Sequence, residues 1–257
     1  MEKKYFFFDI DGTLTDRTTN QIVPSAQLAL TELQARGHFV AIATGRAHYK
    51  AVPLMETLGI DNMVCAGGGA IVTDRILREN RSLDLAKAKQ IYKEAQEAGV
   101  GSLLALDDSI DVYAPNDLFR EQVGERKEPT NYVINPTLDI DEVDAIYKMY
   151  FALPKHGHEK LPSQDTLANL YYVPDYLMYQ FDDKNVGILH MMKQLQAPIE
   201  DVVVFGDDVN DLVMFDKRWT SIAMGNAVPE LKEQASFVTK ANTEDGIYYA
   251  CKKFGWI

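Results

Sequence analysis

Asp9 and Asp11 stand two residues apart where the apolar run Tyr5-Phe6-Phe7-Phe8 ends, in Asp9-Ile10-Asp11-Gly12-Thr13-Leu14. A strand repeats every two residues, so this spacing predicts both carboxylates on one side of the chain. Carboxylates that close raise the cost of ionising one another unless a cation or hydrogen-bond donors intervene. A hard divalent ion fits such a pair. An isolated Asp-x-Asp-Gly is more often a solvated turn, and the rest of the chain weighs against that.

Three further groups recur at the ends of apolar runs or the starts of helices. Gly206-Asp207-Asp208-Val209-Asn210-Asp211 directly follows Val202-Val203-Val204-Phe205; by itself it could be a helix cap. Thr44-Gly45-Arg46 follows a second apolar run and precedes a helix, where a hydroxyl and free backbone N–H groups can hold an anion. Lys184 opens another helix; a lone lysine is ordinarily a solvated charge.

The elements that must position these groups alternate. The unbroken aromatic run before Asp9 reads as a strand buried on both faces of a parallel sheet, and ligands bind beyond the carboxyl ends of such strands. Pro24-Ser25 opens a helix with Ser25 as the expected N-cap and Gly37 just past its end. A strand over 38–43, a helix over 46–58 and a short strand over 63–65 follow, as in a doubly wound α/β sheet. Gly67-Gly68-Gly69 breaks the pattern, and 70–73 with 76–79 predict a hairpin around Asp74-Arg75. The middle block changes architecture. A helix through Leu85, Ala88, Tyr92 and Ala95 is expected first, then extended pieces at 102–106 and 109–114. An amphipathic helix carrying Val143, Ile146, Tyr147, Tyr150 and Phe151 is expected next, with a hairpin over 169–181 after it. From Lys184 the β/α alternation resumes to the end, so one sheet domain is interrupted by an inserted α+β module.

The 257 residues are enough to bury a sizeable core, with 46% hydrophobic and 25% charged residues as in ordinary globular proteins. A formal charge of −12 argues against nucleic acid or an anionic membrane as partner, since both need a basic face. Any phosphate must then be held by local cations. Two cysteines, Cys65 and Cys251, are too few for a disulfide framework and fit a reducing compartment. With no secretory signal and no run of about eighteen apolar residues, a cytoplasmic protein is expected.

Taken in order, the four groups resemble the motifs of the haloacid dehalogenase superfamily of phosphohydrolases. Phe8-Asp9-Ile10-Asp11-Gly12-Thr13-Leu14 is similar to its first motif, Thr44 to its second, Lys184 to its third and Gly206-Asp207 through Asn210-Asp211 to its fourth. Ala223-Met224-Gly225-Asn226-Ala227 is similar to a segment of its Cof-like subgroup. The resemblance implies a Rossmann-like core, 1–80 and 184–257, with an α+β cap, 81–183, inserted between motifs two and three to set specificity. It implies that Asp9 takes the phosphoryl group as nucleophile and that Asp11 is the general acid and base. Mg2+ would be bound by an Asp9 carboxylate oxygen, the Asp11 backbone carbonyl and Asp207, with Asp211 helping directly or through water. Thr44, Gly45, Lys184 and Asn210 would hold the phosphoryl oxygens. The substrate class is a small phosphorylated metabolite, sugar phosphates first.

Two positions depart from the family pattern: Gly68 stands where an Asn is usual, and Asp208 where a small residue is usual. Lys155-His156-Gly157-His158 offers two metal ligands without a third and is expected as a solvated loop. Met191-Met192 and Tyr171-Tyr172 are expected in packing, while His38, His48 and His190 carry no pattern. A phosphomutase or phosphotransferase uses the same residues with an alcohol as acceptor. A receiver-like signalling module, phosphorylated on an Asp, would need neither the inserted module nor an Asp at position 11. A binding-only relative is disfavoured because every motif side chain is present. Oligomeric state is not legible.

Overall fold

In a computed structural model, residues 2–156 and 159–257 are described. Gly157 and His158, half of the two-histidine loop, lie outside them. The chain divides into two compact units, Met1–Asn80 with Asp182–Ile257, and Arg81–Phe181.

The first unit begins β1 (Tyr5–Phe8), α1 (Pro24–Ala35), β2 (Phe39–Ala43), α2 (His48–Thr57), β3 (Asn62–Cys65), β4 (Ala70–Thr73) and β5 (Ile76–Asn80). Phe6, Phe7 and Phe8 are all fully buried. Phe6 and Phe8 join one apolar cluster and Phe7 another, so β1 has a core on each face. Pro24 sits at N1 of α1 and Val23 is the N-cap, with no side-chain capping bond. Ser25 is therefore not the cap: the fixed φ of proline begins the helix by itself. At the other end Gly37, φ +83, follows the last turn. Asp74 and Arg75 both take positive φ in the β4–β5 turn, the backbone that a two-residue hairpin loop demands.

The second unit contains α3 (Leu85–Glu97), β6 (Ser102–Ala105), β7 (Asp111–Ala114), α4 (Leu118–Val123), β8 (Asn131–Ile134), β9 (Lys148–Phe151), β10 (Asn169–Leu170) and β11 (Leu177–Tyr179). Its sheet order is β10-β11-β9-β6-β7-β8, antiparallel except for β7 with β8. The helix expected through Val143–Phe151 is absent. A 3-10 turn, Ile140–Glu142, leads instead into β9, which pairs with both β6 and β11. Met149 and Phe151 enter one core cluster while Tyr150 and Ala152 enter another, an alternation of period two. Spacings of three and four among these large residues mimic a helix, but a central strand is apolar on both faces and has no polar stripe to reveal its period.

The first unit resumes with α5 (Lys184–Gln194), β12 (Val202–Gly206), β13 (Thr220–Ala223), α6 (Pro229–Gln234), β14 (Phe237–Val238) and α7 (Gly246–Lys253). The return falls at Asp182 rather than 184, because the Asp183 N–H donates to the Gly67 carbonyl at 2.8 Å and the Asp183 carbonyl accepts from Val186 and Gly187. The completed sheet runs β14-β13-β12-β1-β2-β3-β4-β5, parallel from β14 to β3 with an antiparallel β4–β5 edge. Strand order reverses between β1 and β12, and a crevice opens beyond the carboxyl ends at such a switch point. No helix among the described residues is long and apolar enough to cross a membrane.

Candidate active site at the switch point

Both acidic loops leave the sheet at that reversal. Asp9 follows β1, Asp207 follows β12, and Asp211 lies on the 3-10 turn Val209–Met214. One oxygen from each of Asp9, Asp207 and Asp211 lies within 4.8 Å of the others, and all three residues are buried. Lys184, 1% exposed, bridges two of them, its Nζ 2.8 Å from Asp9 Oδ1 and 2.7 Å from Asp211 Oδ1.

Small residues bring Lys184 there. A Cβ built on Gly187 of α5 would stand 2.9 Å from the Gly68 Cα, and one on Gly68, φ +106, would stand 2.4 Å from the Asp183 carbonyl. The first turn of α5 thus lies against the Gly67–Gly69 loop at a distance that no side chain permits. This accounts for Gly68 in place of the usual Asn.

The other carboxylate oxygens of the cluster are held from behind. Asp211 Oδ2 accepts from the backbone N–H of Asp207 at 2.9 Å and of Asp208 at 3.2 Å. Thr13 Oγ1 donates to Asp207 Oδ1 at 2.9 Å. Asn226 Nδ2 donates to the Gly12 carbonyl at 2.8 Å and reaches Asp207 Oδ2 at 3.3 Å. Thr44 is buried after β2, its hydroxyl accepting from the Arg46 N–H at 3.1 Å and its carbonyl accepting from the Gly67 N–H.

Asp11 does not join the cluster through its side chain. Regular pairing of β1 ends at Phe8, and Gly12 turns the backbone with φ +96, so the period-two expectation lapses before residue 11. The Asp11 carboxylate, 41% exposed, is instead gripped by Arg46, with Nη2 at 2.5 Å and Nε at 3.2 Å. Its backbone carbonyl accepts from Arg17 Nε at 3.0 Å. Asn210 is exposed on the first turn of the 3-10 segment, and Gly45 is half-buried in the turn after Thr44. Asp208 does not stand alone in solvent: Arg17 Nη2 lies 2.7 Å from its Oδ2 and 3.0 Å from Asp207 Oδ2. Thr13, Arg17, Arg46 and Asn226 were not singled out as site residues from the sequence. Thr13, Arg46 and Asn226 lie inside motif-like segments and could have been; Arg17 gives no local signal.

Negative charge exceeds positive within the cluster, and the titration behaviour follows. Burial, then the neighbouring Asp211 charge, hold Asp9 above the usual carboxylate range although Lys184 pulls the other way. Burial pushes Asp207 up to about 6 against the pull of Arg17 and Thr13. Burial also opposes the Lys184 charge, but Asp211 and Asp9 outweigh it and keep the ammonium above its ordinary range. Three buried carboxylates with one resident ammonium therefore form an oxygen donor set suited to a hard divalent cation, and they could hold one.

The sequence profile described as haloacid dehalogenase-like hydrolase matches residues 6–251. The chain belongs to that family. Within it the chain is a phosphatase, of the phosphoric monoester hydrolase class. It is 33% identical over 258 residues to YkrA of Bacillus subtilis (strain 168), whose name assigns it provisionally as a phosphatase, covering 99% of each chain. It is 27% identical over 255 residues to the phosphoglycolate phosphatase of Nitrosopumilus maritimus (strain SCM1), covering 98% of this chain and 96% of that one. Among solved structures it is similar to the subclass IIB sugar phosphatase BT4131, at a TM-score of 0.77 and 25% identity over 99% of this chain and 100% of the other.

Proposed function

We propose that this phosphatase is Mg2+-dependent and hydrolyses a small phosphorylated metabolite, a sugar phosphate first among candidates, through a phosphoryl group carried on Asp9. The observation that carries the reading is the buried Lys184 bridge between Asp9 and Asp211, within ligand reach of Asp207. Asp9 Oδ1 is fixed by Lys184, leaving the second oxygen of that carboxylate for attack on phosphorus. A covalent route splits the displacement into two easier ones.

Lys184, with the Thr44 hydroxyl, the Gly45 backbone and Asn210, would hold phosphoryl oxygens as charge shifts during transfer. Asn210 is exposed on its turn, so its share of this role requires substrate to reach the rim of the cluster. Asp11 would give a proton to the leaving alcohol and later take one from water. Arg46 occupies its carboxylate, so acting as an acid requires substrate to replace the arginine as its partner. Asp9, Asp207, Asp211 and the Asp11 carbonyl would hold Mg2+. When bound, the ion supplies positive charge that offsets repulsion between the substrate phosphate and these carboxylates.

The relatives support a phosphate monoester without agreeing on which one: one is named for phosphoglycolate, another for a sugar phosphate. Phosphate release measured across phosphorylated sugars, sugar acids and cofactors, with and without Mg2+, tests the reading. Turnover of at least one monoester, lost on chelation and restored by Mg2+, is expected. Equal turnover in excess chelator would overturn the metal assignment, and release from Asp9→Asn above about a hundredth of the wild-type rate would overturn the nucleophile.

A further inference from the structure

Arg17 is a cation at the cluster to which the catalytic roles above give no task. Its guanidinium spans three oxygens: Nε donates to the Asp11 carbonyl at 3.0 Å, and Nη2 lies 3.0 Å from Asp207 Oδ2 and 2.7 Å from Asp208 Oδ2. The first two belong to residues to which the proposed function assigns Mg2+. The convergence is permitted by the bare backbone at position 12. A Cβ on Gly12 would stand 2.1 Å from Asp207 Oδ2 and 2.4 Å from Arg17 Nε.

A magnesium ion requires oxygens at about 2.0–2.1 Å in near-octahedral array. The Arg17 nitrogens stand at hydrogen-bond distance from two oxygens that the proposed function gives to the ion, so the two cations draw on the same lone pairs, and two like charges so close in a partly buried site repel strongly. The arginine and the ion would compete for the Asp11 carbonyl and Asp207. A cleft of about 260 Å³ adjoins the arginine, lined among others by Asp16, Thr18, Asn226 and Asn242. It gives the guanidinium room to withdraw, and Asp208 offers it a partner at the edge.

We propose that Arg17 is an internal counter-ion of the metal site, alternating with the divalent cation for the Asp11 carbonyl and Asp207 and withdrawing onto Asp208 when the cation binds. The inference rests on the Mg2+ role proposed above. Arg17 neutralises part of the carboxylate cluster, and its displacement is a cost that metal binding must overcome, so it sets the Mg2+ concentration at which the site loads. The departure of Asp208 from the family pattern acquires a reason on the same footing: the extra carboxylate is the holding point for the displaced arginine.

Calorimetric titration of Mg2+ into the full-length protein, with thermal melts in chelator and in Mg2+, tests this without reading activity. Arg17→Gln should bind Mg2+ about tenfold or more tightly than wild type, because a competing positive charge is gone. It should melt lower in chelator, yet gain more on adding Mg2+. Arg17→Lys, which keeps the charge but loses the fork that spans the three oxygens, should fall between them. Affinity in Arg17→Gln equal to or weaker than wild type overturns the proposal. If Arg17→Gln does not fold, Arg17→Lys decides: tighter binding than wild type supports it, unchanged or weaker binding overturns it. Wild-type protein that takes up no Mg2+ removes the proposed metal role and this inference with it, whereas wild-type binding with unchanged variants defeats this inference alone.

Discussion

Each unit buries a cation, and the surroundings of the two differ. Lys184 in the first unit is 1% exposed and touches two carboxylates, with a third in the same cluster. Arg126 in the second unit has a 6% exposed side chain; its guanidinium carbon lies 4.0 Å over the Tyr150 ring, and its nitrogens reach Thr130 Oγ1 at 3.0 Å and the half-exposed Glu128 at 3.2 Å. Charge around Arg126 balances one to one on a π surface, which fixes a fold. Charge around Lys184 is left over on the negative side, and an imbalance of that kind carries a cost in stability that the cation and phosphate roles proposed above would give a reason for.

Substitution separates the two cases. Asp9→Asn should lower turnover below about a hundredth of wild type while the melting temperature is kept, because volume is conserved and the nucleophile is not. Activity above that level with a native melt would end the role given to Asp9. Chelation should reduce turnover to background, with full recovery on adding excess Mg2+. Lys184→Met should lower kcat by a factor equivalent to about 2.7–4 kcal/mol, as for loss of one transition-state donor, and destabilise the fold by about 3–5 kcal/mol by leaving buried carboxylates unpaired. Arg126→Met should cost about 1–3 kcal/mol in urea denaturation, through the lost ring contact and hydrogen bonds, with kcat within about twofold of wild type. A slowing by Arg126→Met as large as that by Lys184→Met would erase the contrast.

The smallest effect belongs to a structural histidine of the first unit. Burial, with nearby positive charge adding to it, holds His38 below its ordinary pKa of 6.5; its Nδ1 accepts from the Lys4 N–H at 3.0 Å. The unfolded chain then binds a proton before the folded one does. His38 thus supports full stability above pH 6.5, and that support falls away as the pH drops through the unfolded value. Denaturation midpoints between pH 7.5 and 5.5 should fall less in His38→Gln than in wild type. Identical pH slopes would remove the assignment.

Legibility varied with how local the cause was. Asp9 and Asp207 each end an apolar strand, so their place at the carboxyl edge of one parallel sheet is readable from the sequence, while the sheet order that makes β1 and β12 neighbours is not. Nor is the disposition of Asp11, since the strand period stops at Phe8 and a distant arginine takes the carboxylate. In the second unit the sequence of β9 imitates a helix because both of its faces are apolar, and the six-residue helices α4 of that unit and α6 of the first are too short to show a period. The four-residue β8 pairs parallel with β7 at the end of its sheet, with half-buried and exposed residues only.

The order of the motifs, the alternation of strand and helix and the position of the insert follow from the chain itself, because each is written in residue types a few positions apart. Tertiary structure alone decided which cation neutralises which carboxylate. Lys184 reaches Asp9 across 175 residues and Arg17 reaches Asp208 across 191, and electrostatic energy depends on separation in space, which no local pattern encodes.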